Sequence, residues 1–186
     1  VACMLGKGSE QRVESGLQAT RAAQGPEADA ALFDQAWQLY QEAYGRINGR
    51  HSAVYPGVVD GLKALKALGL PLAVLTNKPQ AYARELVAAK RLDGYFEHVF
   101  GGDSFARKKP DPLPLVQTCL ALGTPVGRTL MIGDSSNDAL AARAAGCPVV
   151  LVSYGYNHGQ PVGEVDADGC FDRLDDLAAA LAPTTA

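Results

Sequence analysis

The stretch TLMIGDSSND, residues 129–138, decides how this chain folds. Its apolar half, Thr129 to Ile132, predicts a buried strand, and a helix is predicted from Asn137 to Ala145. Gly133 allows the backbone to turn tightly between them, directly before Asp134. A strand that runs straight into a helix is typical of parallel sheets joined by crossover helices.

The same alternation extends outward over most of the chain. Strands are predicted at Leu70 to Leu75, His98 to Phe100 and Val149 to Val152. Helices are predicted at Val58 to Gly69, Gln80 to Lys90, Leu113 to Leu122 and Asp176 to Leu181. We therefore expect an α/β fold, a Rossmann-like parallel sheet with helices on both faces.

The first 50 residues differ from the rest, because they predict helices only. Ser9 can cap a helix that runs to about Ala23, and a second helix is predicted from Ala30 to Tyr44. We expect a domain boundary here, with residues 1–50 forming a helical unit and residues 51–186 the α/β core.

Composition limits the function classes. The 186 residues carry 17 Lys and Arg against 20 Asp and Glu, a net charge of −3, and 47% are hydrophobic. A folded domain is expected rather than a disordered one, and non-specific nucleic-acid binding is not expected without a basic surplus. The apolar runs are too short for a membrane span, and no secretion leader is visible, so we expect a cytoplasmic protein.

The cysteines and histidines do not indicate a metal or disulfide framework. The four cysteines form no CxxC motif, and the three histidines are scattered. We expect packed thiols in a reducing compartment and no zinc site.

Polar residues follow the predicted strands where each one ends. Thr76 and Asn77 follow the first strand, and Asp134 and Asp138 follow the third. Ligands of open parallel sheets bind beyond the carboxyl ends of the strands, so these side chains are expected to converge there with Lys109. Hydroxyl, amide and ammonium groups suit a phosphate, and paired carboxylates suit Mg²⁺.

Each of these residues also has a simpler interpretation. Asp138 can cap the following helix, Thr76 and Asn77 can form a cap and turn, and Lys109 can be a solvated surface lysine.

In this order, the motifs resemble those of the haloacid dehalogenase superfamily. The Thr76-Asn77 element is similar to that family's second motif, Lys109-Pro110 to its third, and Gly133-Asp134-x-x-x-Asp138 to its fourth. The Gly155-Tyr156-Asn157 segment narrows the resemblance to the bacterial phosphoglycolate phosphatase branch.

The resemblance implies site roles. Thr76 would hold the phosphoryl group, Asn77 would support its loop, and Lys109 would stabilise the phosphate. Asp134 would ligate Mg²⁺, with Asp138 at the edge of the metal site. Residues 1–50 would form part of a helical cap, and the expected substrate contacts are Gly6, Lys7, Gly133 and Ser135.

The implied function is Mg²⁺-dependent hydrolysis of a small phosphomonoester, 2-phosphoglycolate to glycolate and phosphate, by a monomer or homodimer. The family attacks phosphorus with the first aspartate of an Asp-x-Asp-Gly-Thr motif on a central strand, and no such motif occurs here. Asp166-Ala167-Asp168-Gly169 is only a superficial echo of it. Because the chain begins at Val1 rather than Met, we expect the nucleophile and that strand to lie upstream, and the 186 residues alone to be inactive.

Two alternatives stay open. One is a relative without a nucleophile that binds phosphate or a protein partner. The other is a sugar-phosphate mutase or phosphatase of the same family.

Overall fold

The computed structural model describes residues 13, 14, 16, 17, 26–157 and 159–183. The α-helices are α1 (Pro26–Ile47), α2 (Val58–Ala67), α3 (Gln80–Ala89), α4 (Leu113–Leu122), α5 (Ser136–Ala145) and α6 (Leu174–Leu181). The strands are β1 (Ala73–Leu75), β2 (His98–Phe100), β3 (Met131–Gly133), β4 (Val149–Val152) and β5 (Gly169–Phe171). No helix of the described residues is long and apolar enough to span a bilayer.

The strands form two sheets, and every strand pair is parallel. β1 pairs with β2 in the register Val74 to Val99, and β3, β4 and β5 form the second sheet in that order. Parallel pairing confirms the predicted α/β fold. Among the described residues no strand bridges β1 and β3, so the two sheets are not hydrogen-bonded to each other.

Strand β4 divides the core between the two faces of its sheet. Val149 and Leu151 pack in a cluster with Leu115 of α4 and Ala142 of α5. Val150, which points to the other face, packs in a cluster with residues of α2 and α6. Helices therefore cover both faces, as predicted, and all four residues of β4 are buried.

Several predicted bounds were wrong. β1 begins at Ala73 rather than Leu70, which is 42% exposed and precedes a proline that cannot donate to a ladder. Strand β5 was not predicted, because three residues beginning with a glycine are too short to give a periodic pattern. Helix α6 begins two residues before Asp176.

The helical front is longer than predicted within the described residues. Helix α1 runs from Pro26 to Ile47 rather than from Ala30 to Tyr44, and Pro26 stands in the first turn, where its missing N–H is tolerated. Of the helix predicted from Ser9 to Ala23, residues 13, 14, 16 and 17 are described and helical, and the rest lies outside the described residues.

Helix α1 carries a ladder of aromatic rings at helical spacing. Phe33, Trp37, Tyr40 and Tyr44 are stacked in sequence, with centroid separations of 6.4, 5.7 and 5.6 Å. Tyr44 then meets Tyr82 of α3 edge to face at 5.1 Å. The ladder therefore ends against the α/β core.

Candidate functional site

Lys109 links the carboxyl end of β1 to the start of α5. Its Nζ donates to the carbonyl of Leu75 at 2.8 Å and to Oδ1 of Asp138 at 2.6 Å. The two charged side chains are only 9% and 6% exposed, so Lys109 is not a solvated surface lysine. Because a buried ion pair keeps its charges only when they are well partnered, this contact fixes the ammonium group at the junction of the two sheets.

The loop after β1 holds the backbone of Lys109 from the other side. The Asn77 side chain donates from Nδ2 to the Lys109 carbonyl at 2.8 Å and accepts the Lys109 N–H at 3.0 Å. Oγ1 of Thr76 accepts the N–H of Lys78 at 3.2 Å, which leaves the Thr76 hydroxyl proton for another acceptor. The second and third motifs are therefore joined by direct contacts across 32 residues of sequence.

Asp138 holds the loop that follows β3. Its Oδ2 accepts from the N–H of Asp134, the N–H of Ser135 and the hydroxyl of Ser135 at 3.1, 3.1 and 2.8 Å. Ser135 is the N-cap of α5, and Asp138, three residues later, gives the reciprocal half of a capping box. The interpretation of Asp138 as the N-cap residue was therefore wrong, since Ser135 holds that position; Asp138 supports the cap from the third helical position and also contacts Lys109.

Burial and hydrogen-bonded partners act on the pKa of Asp138 in opposite directions. Burial alone would raise the pKa of this carboxyl, but the Lys109 charge and the hydrogen bonds from Lys109 and Ser135 outweigh burial. The net result is a pKa below its usual range, so Asp138 is an anion near neutral pH.

Asp134 has a contrasting environment. Burial raises the pKa of its carboxyl, the nearby Asp138 carboxylate raises it further, and the Tyr156 N–H, which donates to Oδ2 at 3.0 Å, opposes the shift. The Tyr156 N–H is the donor that lowers this pKa through a hydrogen bond, whereas the carboxylate of Asp138 accepts four hydrogen bonds. Asp134 is therefore the under-compensated anion of the pair.

Two glycines allow these acids to lie against neighbouring backbone. A Cβ atom at Gly133 would overlap the Cβ of Asp138, and one at Gly155 would overlap the Cβ of Asp134. Gly133 was singled out from the sequence as a turn residue, and the structure adds this steric reason. Larger residues at either position would displace a carboxylate.

The donors at this site are carboxylate oxygens, which suit a magnesium ion. The described residues contain no group of three or more His, Cys, Asp or Glu side chains that could hold a metal. Mg²⁺ is commonly bound through one or two carboxylates, with water and substrate phosphate as its other ligands. The poorly compensated Asp134 carboxylate fits that requirement, because a cation would offset its half-buried charge.

The structure brings together most of the residues singled out from the sequence. One contact network joins Asn77, Lys109, Gly133, Asp134, Ser135 and Asp138. Thr76 lies between Leu75 and Asn77, both of which contact Lys109. Gly6 and Lys7 lie outside the described residues.

The Asp166-x-Asp168 echo lies elsewhere. Both acids pair with Arg143 of α5, at 3.0 and 2.8 Å, and Asp168 also accepts the N–H of Val149. These contacts tie the segment before β5 to α5, which is a structural role.

Sequence reasoning did not assign a role to Tyr156 and Asn157. Both belong to the loop after β4, where the Tyr156 N–H contacts Asp134 and Asn157 contacts the N–H of Ser136. The signal in the sequence is a glycine shortly after a predicted strand, with an asparagine two residues later; the structure adds that this asparagine is buried.

Comparison with known proteins gives consistent matches. Residues 4–146 match the family model described as haloacid dehalogenase-like hydrolase. The phosphoglycolate phosphatase of Thiobacillus denitrificans is 47% identical over 152 residues, covering 82% of this chain and 67% of that protein. The phosphoglycolate phosphatase of Nitrosospira multiformis is 44% identical over 170 residues, covering 91% and 74%.

Solved structures give the same result. A crystal structure described as a predicted phosphoglycolate phosphatase from Haemophilus somnus superposes with a TM-score of 0.83 at 33% identity, over 96% of this chain and 80% of that one. CbbY from Rhodobacter sphaeroides, solved in complex with phosphate, gives a TM-score of 0.72 at 25% identity, over 91% and 75%.

Proposed function

Because this chain belongs to the haloacid dehalogenase-like hydrolase family, we propose that it acts in Mg²⁺-dependent hydrolysis of a small phosphomonoester, 2-phosphoglycolate. The observation that carries this proposal is the buried Lys109–Asp138 contact at the junction of the two sheets. It holds an ammonium group beside Thr76 and Asn77 on one side and the Asp134 loop on the other. Two relatives named for phosphoglycolate hydrolysis support the choice of substrate.

The Asp134 carboxylate is the residue we assign to the metal. A bound Mg²⁺ would act as a Lewis acid toward a phosphoryl oxygen and neutralise charge. The four hydrogen bonds to Asp138 favour a different role for that acid, which is to hold Lys109 and the Asp134 loop. The assignment of Asp138 to the edge of the metal site stays a prediction.

Thr76 and Lys109 are assigned to the phosphoryl group. The Thr76 hydroxyl can donate to a phosphoryl oxygen, since its own oxygen accepts the Lys78 N–H. The ammonium of Lys109 has three N–H bonds and two described acceptors, the Leu75 carbonyl and Asp138, so one N–H is available for a phosphoryl oxygen. Fixed donors of this kind stabilise charge that develops in the transition state.

The nucleophile is not assigned to any residue of this chain. The family's covalent step uses an aspartate of an Asp-x-Asp-Gly-Thr motif, and none of the 186 residues provides that motif. Asp166 and Asp168 are held by Arg143 instead. We therefore assign phosphate binding, metal binding and charge stabilisation to the described residues.

Helix α1 is assigned to the cap, in keeping with the proposed division into residues 1–50 and 51–186. Its end contacts the core next to the phosphate loop, because Lys78 donates to the Tyr44 hydroxyl at 2.6 Å and Tyr82 donates to the Gln41 carbonyl at 3.0 Å. A cap seated there can exclude water from the site.

We assign the protein to the cytoplasm, and the free thiols of Cys119 and Cys147 support a reducing compartment.

Binding calorimetry on the 186-residue chain tests the proposal. We expect Mg²⁺ to bind, and 2-phosphoglycolate to bind more tightly with Mg²⁺ present than without it. Lys109→Met should abolish phosphoglycolate binding, and Asp134→Asn should abolish Mg²⁺ binding. Lys63→Met is the matched control, since Lys63 is 62% exposed and forms only a surface pair with Asp60. Equal binding of phosphoglycolate by the Lys109 variant and the unmodified chain would contradict the assignment.

A second candidate, which the sequence leaves open, is a protein that binds the phosphate ester without turnover. Both candidates predict ligand binding by these 186 residues, and both predict no phosphate release from them. Release above the buffer control would reveal a nucleophile within this chain. A ligand panel with a hexose phosphate separates the sugar-phosphate alternative, which requires preference for the hexose ester.

A further inference from the structure

The segment Gly155-Tyr156-Asn157 has no role in the proposed function so far. We propose that Asn157 is a positioning residue that clamps this segment to the start of α5 and thereby fixes the Asp134 carboxylate for cation binding. This inference rests on the proposed function, because it assumes that Asp134 receives the metal.

Asn157 is buried and its side chain is hydrogen-bonded at both ends. It is only 4% exposed, its Oδ1 accepts the N–H of Ser136 at 2.9 Å, and its Nδ2 donates to the Gln160 carbonyl at 3.3 Å. The Gln160 N–H also donates to the Asn157 carbonyl at 2.8 Å, closing a turn. A buried amide with this set of partners has one favoured orientation, so it sets the distance between the loop and α5.

The residues before Asn157 carry that constraint to Asp134. The Tyr156 N–H donates to Oδ2 of Asp134 at 3.0 Å, and a Cβ at Gly155 would overlap the Asp134 side chain. The backbone of residues 155 and 156 therefore lies directly against the carboxylate. Any movement of this segment away from α5 would remove the described hydrogen-bond donor of Asp134.

The Asp134 loop is held from two sides as a result. The Asp138 side chain, in the first turn of α5, accepts hydrogen bonds from the N–H groups of Asp134 and Ser135. The Asn157 side chain, in the loop after β4, accepts one from the next N–H group, that of Ser136. Three successive amides are thus fixed by two side chains. Losing a partner that orients a metal ligand typically weakens metal affinity about 10- to 100-fold.

Two variants test the clamp through the dissociation constant for Mg²⁺, measured by calorimetry on the full chain. Asn157→Ala removes the acceptor for Ser136, and Gly155→Ala inserts a methyl group against Asp134. We expect each to raise the dissociation constant about 10-fold or more. The matched control is Ser153→Ala, which removes an exposed hydrogen bond to Asp172 from the same loop and should leave the constant unchanged. A change below twofold for Asn157→Ala would overturn the proposal.

Amide hydrogen exchange provides a readout without metal or activity. In the unmodified chain without Mg²⁺, the amides of Ser136 and Tyr156 should already be protected, and in Asn157→Ala both should exchange at least tenfold faster than in the Ser153 control. Exchange of both amides at exposed-loop rates in the unmodified chain would refute the clamp, even if Asn157→Ala does not fold. If the unmodified chain binds no Mg²⁺ while both amides are protected, the metal assignment fails and with it the metal role of Asn157. If Mg²⁺ binds and the Asn157 variant binds it equally well, only the clamp fails.

Discussion

Replacing Lys109 by Met removes the buried cation that compensates Asp138. The pair is 2.6 Å apart with side chains 9% and 6% exposed, and removing one partner of such a pair costs about 3–5 kcal/mol. Asp138 keeps three other donors, which argues for the lower end of this range. The lost hydrogen bond to Leu75 adds about 1 kcal/mol. We expect the free energy of unfolding to fall by about 3–4 kcal/mol at pH 7.

The pH dependence gives the sign of the effect. In the unmodified chain the pKa of Asp138 lies below its usual range, so this group stabilises the fold above that range and the contribution is lost as pH falls through its folded value. Without Lys109, burial dominates and the pKa rises, so the buried anion destabilises the fold near neutral pH. Acidification lets Asp138 take up a proton in the variant. The stability difference between the two chains should therefore shrink as pH falls from 7 toward 4.

Urea denaturation with a chelator present, at several pH values, measures this effect. Adding Asp138→Asn to Lys109→Met should cost less than the sum of the two single losses, because each single variant already breaks the same pair. Lys63→Met is again the control and should change stability by less than about 0.5 kcal/mol. A loss below about 1 kcal/mol for Lys109→Met, or strict additivity in the double variant, would refute a compensated buried pair.

Three further predictions concern single groups. Asp134→Asn should raise the thermal midpoint of the metal-free chain, because it removes a half-buried and poorly compensated charge. Thermal melts with and without Mg²⁺ should show loss of the metal-dependent shift, and an unchanged shift would contradict the assignment. Gly101→Ala should lower the free energy of unfolding by about 2 kcal/mol or more, because the new Cβ would overlap the Gln80 backbone. Gly127→Ala is the control, since its Cβ would meet nothing within 4 Å, and equal urea midpoints for the two variants would contradict the prediction. Iodoacetamide at pH 8 should alkylate the exposed Cys170 before Cys147, because burial raises the pKa of the Cys147 thiol to about 12. Mass spectrometry that finds Cys147 modified first would contradict this.

Much of the fold and site could be predicted because it depends on local pattern. Residues 129–138 combine an apolar strand, a glycine turn and an acid, and each of these is readable from neighbouring residues. The pairing of Lys109 with Asp138 could not be predicted, because 29 residues separate them and only the tertiary fold brings the loop of Lys109 next to the start of α5. From the sequence, Lys109 could be either a surface lysine or a phosphate-binding residue, and the burial of its side chain favours the second role.

The contacts of the loop after β4 could not be predicted from the sequence either. Tyr156 contacts Asp134 through its backbone N–H, and Asn157 contacts the Ser136 N–H through its side chain. Helix α5 and strand β4 separate these partners in the chain, and a backbone N–H has no sequence signature of its own. Strand β5 was missed for a different reason, since Gly169 gives no apolar side chain and the strand has only three residues. Predictions failed where a contact is made by the backbone or by tertiary proximity.

The aromatic ladder of α1 gives this molecule an internal optical probe. Trp37 is the single tryptophan of the sequence, and it stands between Phe33 and Tyr40 in the stack. Excitation at the red edge of the absorption band therefore reports on the helical unit alone, with no contribution from the α/β core. Tyr82 meets the far end of the ladder, so the part of the tyrosine-to-tryptophan energy transfer that is lost in Tyr82→Phe would report how that helix sits against the core. Unfolding of helix α1 and its separation from the core can thus be followed as two separate signals.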